Sequence, residues 1–476
     1  MLFHSLLKKI SEINPFERLI LTLLFSLLPY FESRIFVSMW LYPFCYFIFF
    51  LALYMSVFRK NVFLRIISLL LFALSFLVQS FLFFYALTFF LFMYGQKARL
   101  LEALKTKKRL RGLFFFMLDL VRGNLDYFLL PFAVWILQGL IFPQFGDNTQ
   151  YNVITADNIL QSPVFLVKTA LKTIIDLPYA MGAYLLKADV FLLPFLAGLF
   201  CILFYILKKS CIKHNSEKSG IKKNIFFLVL GVVTFILAVF PYAAVGKEIP
   251  SLFSWNNQNQ LLMPLSIALI FYFSLDLVFR LIGTKIKPVV YGAFFSLVFV
   301  LLANYSITSW SEYNVNWYKQ LSVVENIKAN EILRDNRIFL VDDKTYELNE
   351  IKQKKRRIIY YEYMGLLDSA FPGSIKFMEK ETQFNELLAG RRFLDEYYLT
   401  GGFRYANSRY NLEKFELTEP FYRVTIDYGE KQVNSILEIL RLKYLQLFNL
   451  EQFKLEIADM VTIGVERVSG PGLSGS

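Results

Sequence analysis

Residues 66–96 carry no charged side chain. A helix crosses the hydrocarbon core of a bilayer in about 20 residues. The run RIISLLLFALSFLVQSFLFFYALTFFLFMY is therefore too long for one crossing and too apolar for water. It is expected to form two helices, 62–78 and 79–95, that turn back near Gln79 and Ser80. A single long tilted helix is the alternative. Further apolar runs lie at 18–32, 35–58, 126–142, 188–207, 225–245, 260–279 and 288–304. Hydrophobic residues make up 56% of the 476 and aromatic residues 18%, more than a water-soluble fold can hide. The expected class is a polytopic α-helical membrane protein with about nine transmembrane helices and a C-terminal extracytoplasmic α/β domain.

The loops between these runs decide the orientation. With the hairpin, one side receives Lys8 and Lys9, then RKNVFLR, QKARLLEALKTKKRLRG, KKSCIKHNSEKSGIKK and RLIGTKIK. The other receives ESR, the loop 143–187 and KEIPSLFSWNNQNQ. The first set is strongly basic and the second nearly neutral. The positive-inside rule then places the N-terminus in the cytoplasm and residues 305–476 outside it. The net charge of +13 is read as topology and attraction to anionic lipid, not nucleic-acid binding. The expected location is a bacterial-type inner (cytoplasmic) membrane.

Four regions follow. Residues 1–16 form a short cytoplasmic amphipathic helix. Residues 17–304 form the bundle with its outer loop 143–187. Residues 305–468 form the outer domain. Residues 469–476, SGPGLSGS, read as an appended flexible linker. No small-residue cleavage site follows the first apolar run, so that span is expected to be retained.

Within the loop 143–187, residues 162–176 show helical spacing of apolar residues, with Lys168 and Lys172 on one face. They are expected to form a helix in the membrane interface, bordering an entrance for a lipid-linked substrate or covering the bundle. In the outer domain RIFLVDD, RRIIYYEYMG, FYRVTIDYG and VTIGVERV read as strands. WYKQLSVVENIKANEIL reads as a helix, and the segment from Lys431 to Met460 as one helix or two.

The second outer loop carries five consecutive carboxamides: Asn256, Asn257, Gln258, Asn259 and Gln260. They supply donors and acceptors without charge. With Lys247 at the boundary and Trp255 as an interfacial anchor, they suit a sugar or a phosphate ester. A solvated loop that caps two helix ends is the plainer reading.

The outer face has neither histidine nor cysteine. His4 and His214 are assigned inside, and Cys45, Cys201 and Cys211 lie in apolar runs or a basic loop. A Ser-His-Asp triad, a Cys-His pair and a His-ligated zinc are excluded there. No Walker A, GxGxxG or HExxH pattern occurs. Acid–base work would fall to carboxylates. Glu32, in PYFESRIF, and Asp147 are the catalytic candidates. Arg34 and Lys247 would hold a lipid pyrophosphate. A Glu–Arg pair at a tight turn is the structural alternative for Glu32 and Arg34. Asp342 and Asp343, at the end of a strand, are weak candidates for a divalent metal, and no cofactor is otherwise implied.

The layout is similar to that of multi-spanning envelope glycosyltransferases that use lipid-linked donors. Those enzymes usually carry the catalytic acid on a long first outer loop. Here that loop is ESR, and the long loop is 143–187. The expected function is an envelope glycoconjugate transferase, polymerase or ligase at the outer leaflet. Its partners would be membrane lipid and a polyprenyl-phosphate-linked glycan. The alternatives are a non-enzymatic membrane subunit of an envelope assembly, secretion or defence complex, with partner membrane proteins, and a transporter or channel.

Overall fold

A computed structural model describes residues 2–30, 40–57, 61–105, 109–141, 153–214, 220–253, 259–281, 286–345, 347–351, 354–355, 360–374, 376–380 and 420–468. The chain divides into two compact units. The first comprises Met1–Lys187 and Phe195–Ser306, the second Ala188–Pro194 and Ile307–Ser476.

In the first unit, α1 (Leu2–Leu7) is shorter than the amphipathic helix expected over 1–16. It buries Phe3, Leu6 and Leu7 in the core, and Phe3 stacks on Phe25 at 4.1 Å. It is packed through that face against the first unit's core. Helix α2 (Pro15–Leu27) starts where it does because Asn14 and Glu17 form a reciprocal capping box, with Pro15 in the first turn.

Helices α3 (Leu41–Ser56) and α4 (Val62–Ser75) pack against each other. The chain then breaks at 76–79 before α5 (Ser80–Phe84) and α6 (Ala86–Gly95). The rings of Phe72 and Tyr85 meet at 4.8 Å. On one straight helix those positions would lie ~20 Å apart. The run 65–94 therefore folds back at the turn expected near Gln79.

Helices α7 (Lys97–Lys105), α8 (Arg109–Gly123) and α9 (Leu125–Ile141) follow. The stretches Arg111–Gly123 and Leu125–Ile141 meet at 67°. The bend falls at buried Asn124, whose Nδ2 donates to the Leu120 carbonyl at 2.7 Å. Helix α10 spans Ala156–Leu186, twice the length expected for 162–176, and continues through Pro163 and Pro178. Then come α11 (Leu193–His214), α12 (Ile221–Ala244) and α13 (Met263–Phe279).

Helix α14 runs from Lys287 to Ala329. The last apolar run and the helix WYKQLSVVENIKA are one uninterrupted element, and the division between units falls inside it, after Ser306.

Three described helical stretches, Val190–Lys213, Ile221–Ala244 and Lys287–Ala329, are long and apolar enough to cross a membrane. The bent pair makes a fourth if taken as one span. Helix α9 exposes Leu129, Phe132, Trp135, Ile136 and Leu140, and α12 exposes Ile225, Phe226, Val229 and Val232. Such outward apolar faces are consistent with a helical membrane protein.

The second unit contains α15 (Glu331–Asp335), β1 (Ile338–Asp343), β2 (Glu350–Ile351), β3 (Lys354–Lys355), α16 (Tyr360–Ala370), β4 (Phe377–Lys380), β5 (Phe421–Tyr428), α17 (Ile436–Phe448), α18 (Leu450–Ala458) and β6 (Val461–Val468). One sheet has the order β4-β1-β5-β6. Strand β1 pairs parallel with β4 and β5, and β6 pairs antiparallel with β5. Strands β2 and β3 form a separate antiparallel ribbon.

The run RRIIYYEYMG is corrected. Its described part, from Tyr360, is the start of α16. Tyr363, Leu366, Leu367 and Ala370 recur at helical spacing and are buried, so the period that decides is 3.6 and not 2. Beyond β5, Gly429 is required by close approach. A Cβ there would stand 2.0 Å from the Asp459 carbonyl oxygen.

Candidate functional site

Helix α10 is amphipathic in the reverse sense to a helix in water. Its buried side chains are Ser162, Thr169, Thr173, Ala180 and Tyr184. Steps of seven and four residues put them on one face. Leu160, Val164, Val167, Leu171, Ile174 and Ile175 are exposed. The inward hydroxyls satisfy part of their need locally. Ser162 Oγ donates to the Asn158 carbonyl at 2.9 Å and Thr173 Oγ1 to the Thr169 carbonyl at 2.8 Å. Buried Tyr30 adds a bond from its hydroxyl to the Thr173 carbonyl at 3.3 Å.

The segment leading into the amide loop lies along this helix. Gly246 has φ of +66°, and a Cβ there would meet the Asn158 carboxamide at 2.7 Å. Position 246 thus needs glycine for both its backbone and its neighbour. Ser251 Oγ donates to Asp176 at 2.6 Å, and the Leu252 amide reaches the same oxygen at 3.4 Å. The rings of Phe253 and Tyr179 meet at 5.5 Å. Near the other end of α10, Asn304 Nδ2 donates to the Tyr184 carbonyl at 2.9 Å, and Tyr184 packs on Tyr305 at 4.4 Å.

Of the five carboxamides, Asn259 and Gln260 are described. They are 8% and 2% exposed and lead directly into buried Leu261, Leu262 and Met263. Those two amides face the protein interior, where they were expected to meet solvent or ligand. Gln260 Oε1, Thr169 Oγ1 and Asn304 Oδ1 are buried, with no hydrogen-bond partner among the described residues. Each is an acceptor able to receive a water or a ligand hydroxyl.

Lys247 is half-buried on the turn after Gly246, where its backbone amide donates to the Tyr242 carbonyl at 3.0 Å. Glu32, Arg34, Asp147, Trp255, Asn256, Asn257 and Gln258 lie outside the described residues. Of the expected site residues Lys247, Asn259 and Gln260 are described, and it is the 246–253 segment that lies along α10.

A second polar cluster joins the ends of α2, α12, α13 and α14. Asp276 accepts from Asn224 Nδ2 at 2.6 Å and from the Tyr291 hydroxyl. Arg280 stands at 3.3 Å and Lys287 at 3.8 Å. The neighbour of Asn224, Lys223, pairs with buried Glu17 at 2.5 Å. From spacing alone only Asp276 and Arg280, one helical turn apart, stand out as a pair. Every charge named here has an opposite within reach, so the cluster holds helices together and offers no open valence.

The strand-end carboxylates of the second unit behave differently from each other. Asp342 is exposed, whereas Asp343 is 2% exposed, because alternate residues of β1 face opposite sides of the sheet. Lys319 Nζ, fully buried, stands 2.8 Å from Asp343 Oδ2. Thr345 donates to Oδ1 from its amide at 3.0 Å and its hydroxyl at 2.7 Å, and the Tyr363 hydroxyl donates to Oδ2 at 3.2 Å. Burial pushes the Asp343 carboxyl up, but the Lys319 ammonium and the Thr345 bonds outweigh it and hold the group below the ordinary carboxylate value. Both oxygens are engaged, so the two aspartates do not form a shared metal site. No group of three or more His, Cys, Asp or Glu able to hold a metal occurs among the described residues.

The residues that sequence reasoning missed are Thr169, Thr173 and Ser251. Their signal was present. Ser162, Thr169, Thr173 and Asp176 fall on one helical stripe within an apolar segment. The reading of 162–176 as an interface helix rested on its apolar spacing and on Lys168 and Lys172, and it did not single out the hydroxyl stripe. No family model, no curated protein and no solved structure matches this chain.

Proposed function

We propose that the chain is a polytopic membrane enzyme of the cell envelope: a glycoconjugate transferase, polymerase or ligase that works on a lipid-linked substrate at the outer leaflet. One observation carries the reading. A helix with an apolar outward face and a hydroxyl-bearing inward face, α10, is held by Asp176 and Asn158 against the segment that leads into the amide loop. Such a helix meets acyl chains on one side and sugar or phosphate oxygens on the other. Lys247 and Arg34 would neutralise the pyrophosphate, and Glu32, with Asp147, would supply the base for the acceptor hydroxyl.

The topology that goes with it has about nine spans, a cytoplasmic N-terminus and an extracytoplasmic second unit in a bacterial-type inner membrane. The concentration of Lys and Arg in alternate loops supports it. Reporter fusions at 215–219 and at 469–476 should report opposite sides.

The functional test is a turnover assay on the full chain in lipid vesicles with polyprenyl-diphosphate-linked glycan as donor. Glu32→Gln should abolish transfer and leave lipid binding intact. Wild-type turnover in that variant would remove the assignment of the base, and a wild-type chain that consumes no lipid-linked glycan would remove the reading.

A second reading, a non-catalytic subunit of an envelope assembly, is favoured by one fact. The interior carboxylates Asp176, Asp276 and Asp343 are all engaged by protein donors. On that reading Glu32→Gln would restore a deletion strain fully.

A further inference from the structure

We propose that α17 is an amphipathic membrane anchor of the second unit, lying in the bilayer interface with Leu437, Leu440, Tyr444, Leu447 and Phe448 against the lipid. At ~100° per residue these five positions fall within one sector of about 120°. All five are exposed, Leu447 at 69% and Phe448 at 73%. The opposite side, Ile439 and Leu442, is buried with Tyr318 and Phe453. The helix is well defined: Ser435 and Glu438 form a capping box at its start. Its outward apolar stripe is therefore not a frayed end, and contiguous apolar surface of this kind marks an interaction face.

What covers it follows from the residues it adjoins. The stretch 188–194 belongs to the same unit. Asp189 Oδ2 accepts from the Ile436 amide at 2.6 Å, and its Oδ1 accepts from the Phe191 amide at 2.9 Å. One carboxylate thus joins the first turn of α17 to the point where the apolar stretch Val190–Lys213 begins. Val190, Phe191 and Leu193 are themselves exposed. Within this unit α17 thus begins beside exposed Val190 and Phe191, so a bilayer that receives those two side chains is at hand for Leu437 and Leu440.

The chemistry of the stripe agrees. Tyr444 is an aromatic of the kind that favours the headgroup level, and Phe448, its ring 4.9 Å away, suits the apolar face of an interfacial helix. Arg441 borders the same sector, with its guanidinium 2.7 Å from Glu456, and a basic residue beside the apolar stripe suits an interfacial helix.

The proposal rests on the reading that Val190–Lys213 crosses a membrane, and the experiment separates the two. The full chain, with Cys45, Cys201 and Cys211 replaced by serine, is reconstituted in vesicles of phosphatidylethanolamine and phosphatidylglycerol. An environment-sensitive dye is placed by Leu447→Cys, by Ile202→Cys in the apolar helix and by exposed Glu451→Cys. The expected result at 447 is a blue-shifted emission, quenched by lipid bearing a nitroxide near its headgroup and untouched by iodide. Label at 202 should be quenched by a nitroxide deep in the acyl chain, and label at 451 by iodide alone. Iodide quenching at 447 equal to that at 451 overturns the proposal. Protection from both quenchers at 447 also overturns it, because a protein surface then covers the stripe. Failure at 202 overturns the underlying membrane reading instead. Should Leu447→Cys not fold, Tyr444→Cys and Phe448→Cys sample the same stripe.

Discussion

Helix α10 and strand β1 solve opposite problems. In α10 the hydroxyls of Ser162, Thr169 and Thr173 are inside, and Val164, Val167 and Leu171 are outside. In β1, Ile338, Phe339, Leu340 and Val341 are inside, and the first outward residue is the charged Asp342. The second pattern is what water imposes on a sheet between packed layers. The first is what hydrocarbon would impose. With no hydrophobic drive between helices in lipid, small hydroxyl residues gather where helices meet, and apolar side chains are left to the solvent of acyl chains. The contrast is the one that the proposed topology requires of two units in different solvents.

The largest expected effect breaks the water-adapted side. Asp343→Ala would strand the buried Lys319 ammonium, and loss of one partner of a buried pair costs about 3–5 kcal/mol. The second unit should become the first site of limited proteolysis. Replacing both partners, Asp343→Leu with Lys319→Met, should recover most of the loss. If it does not, the pair has a role other than neutralising itself.

The next effect sharpens the lipid-adapted side. Leu171→Asp on the outward face of α10 should cost about 2.5–3.5 kcal/mol if that face meets acyl chains at mid-depth. It should cost within about 0.5 kcal/mol if the face meets water. Heating the full chain in nanodiscs and scoring the folded fraction distinguishes the two.

A smaller effect is the response to acid. The Asp343 carboxyl is held below its ordinary value, near 3.9 when unfolded. Its contribution is therefore complete above about pH 4 and declines as pH falls through the lower folded value. Acid should loosen the second unit in the wild type, and Asp343→Asn should remove that part of the acid dependence. An unchanged acid profile in Asp343→Asn would show that the group carries no such linkage.

Much of this contrast was legible in the sequence where periodicity and solvent agree. The charge-free run 66–96 and the strands at 338–343, 421–428 and 461–468 follow from such patterns, whereas the segment 431–460 left one helix or two open until α17 and α18 settled it. Reasoning fell short where a stripe was not looked for or the period was short. The segment 162–176 was read from its apolar spacing and lysines, and its inward hydroxyl stripe went unremarked. RRIIYYEYMG reads as a strand until Leu366, Leu367 and Ala370, outside the quoted run, supply the helical repeat.

Pairings across long stretches of sequence were not legible at all. Asp176 with Ser251, Asp189 with Ile436 and Lys319 with Asp343 depend on tertiary placement, which no local spacing encodes. The amides at 259 and 260 are a case between. Their number advertised a role, but only their burial shows that they point inward.

The measurement that tests the contrast most directly is nitroxide accessibility at two exposed positions of the full chain in vesicles, Leu171→Cys on α10 and Glu466→Cys on β6. The account predicts that collisions at 171 are dominated by dissolved oxygen, which concentrates in acyl chains, and collisions at 466 by a water-soluble nickel chelate. Equal access of the chelate to both positions would contradict it, because α10 would then face water and its inverted pattern would need another cause.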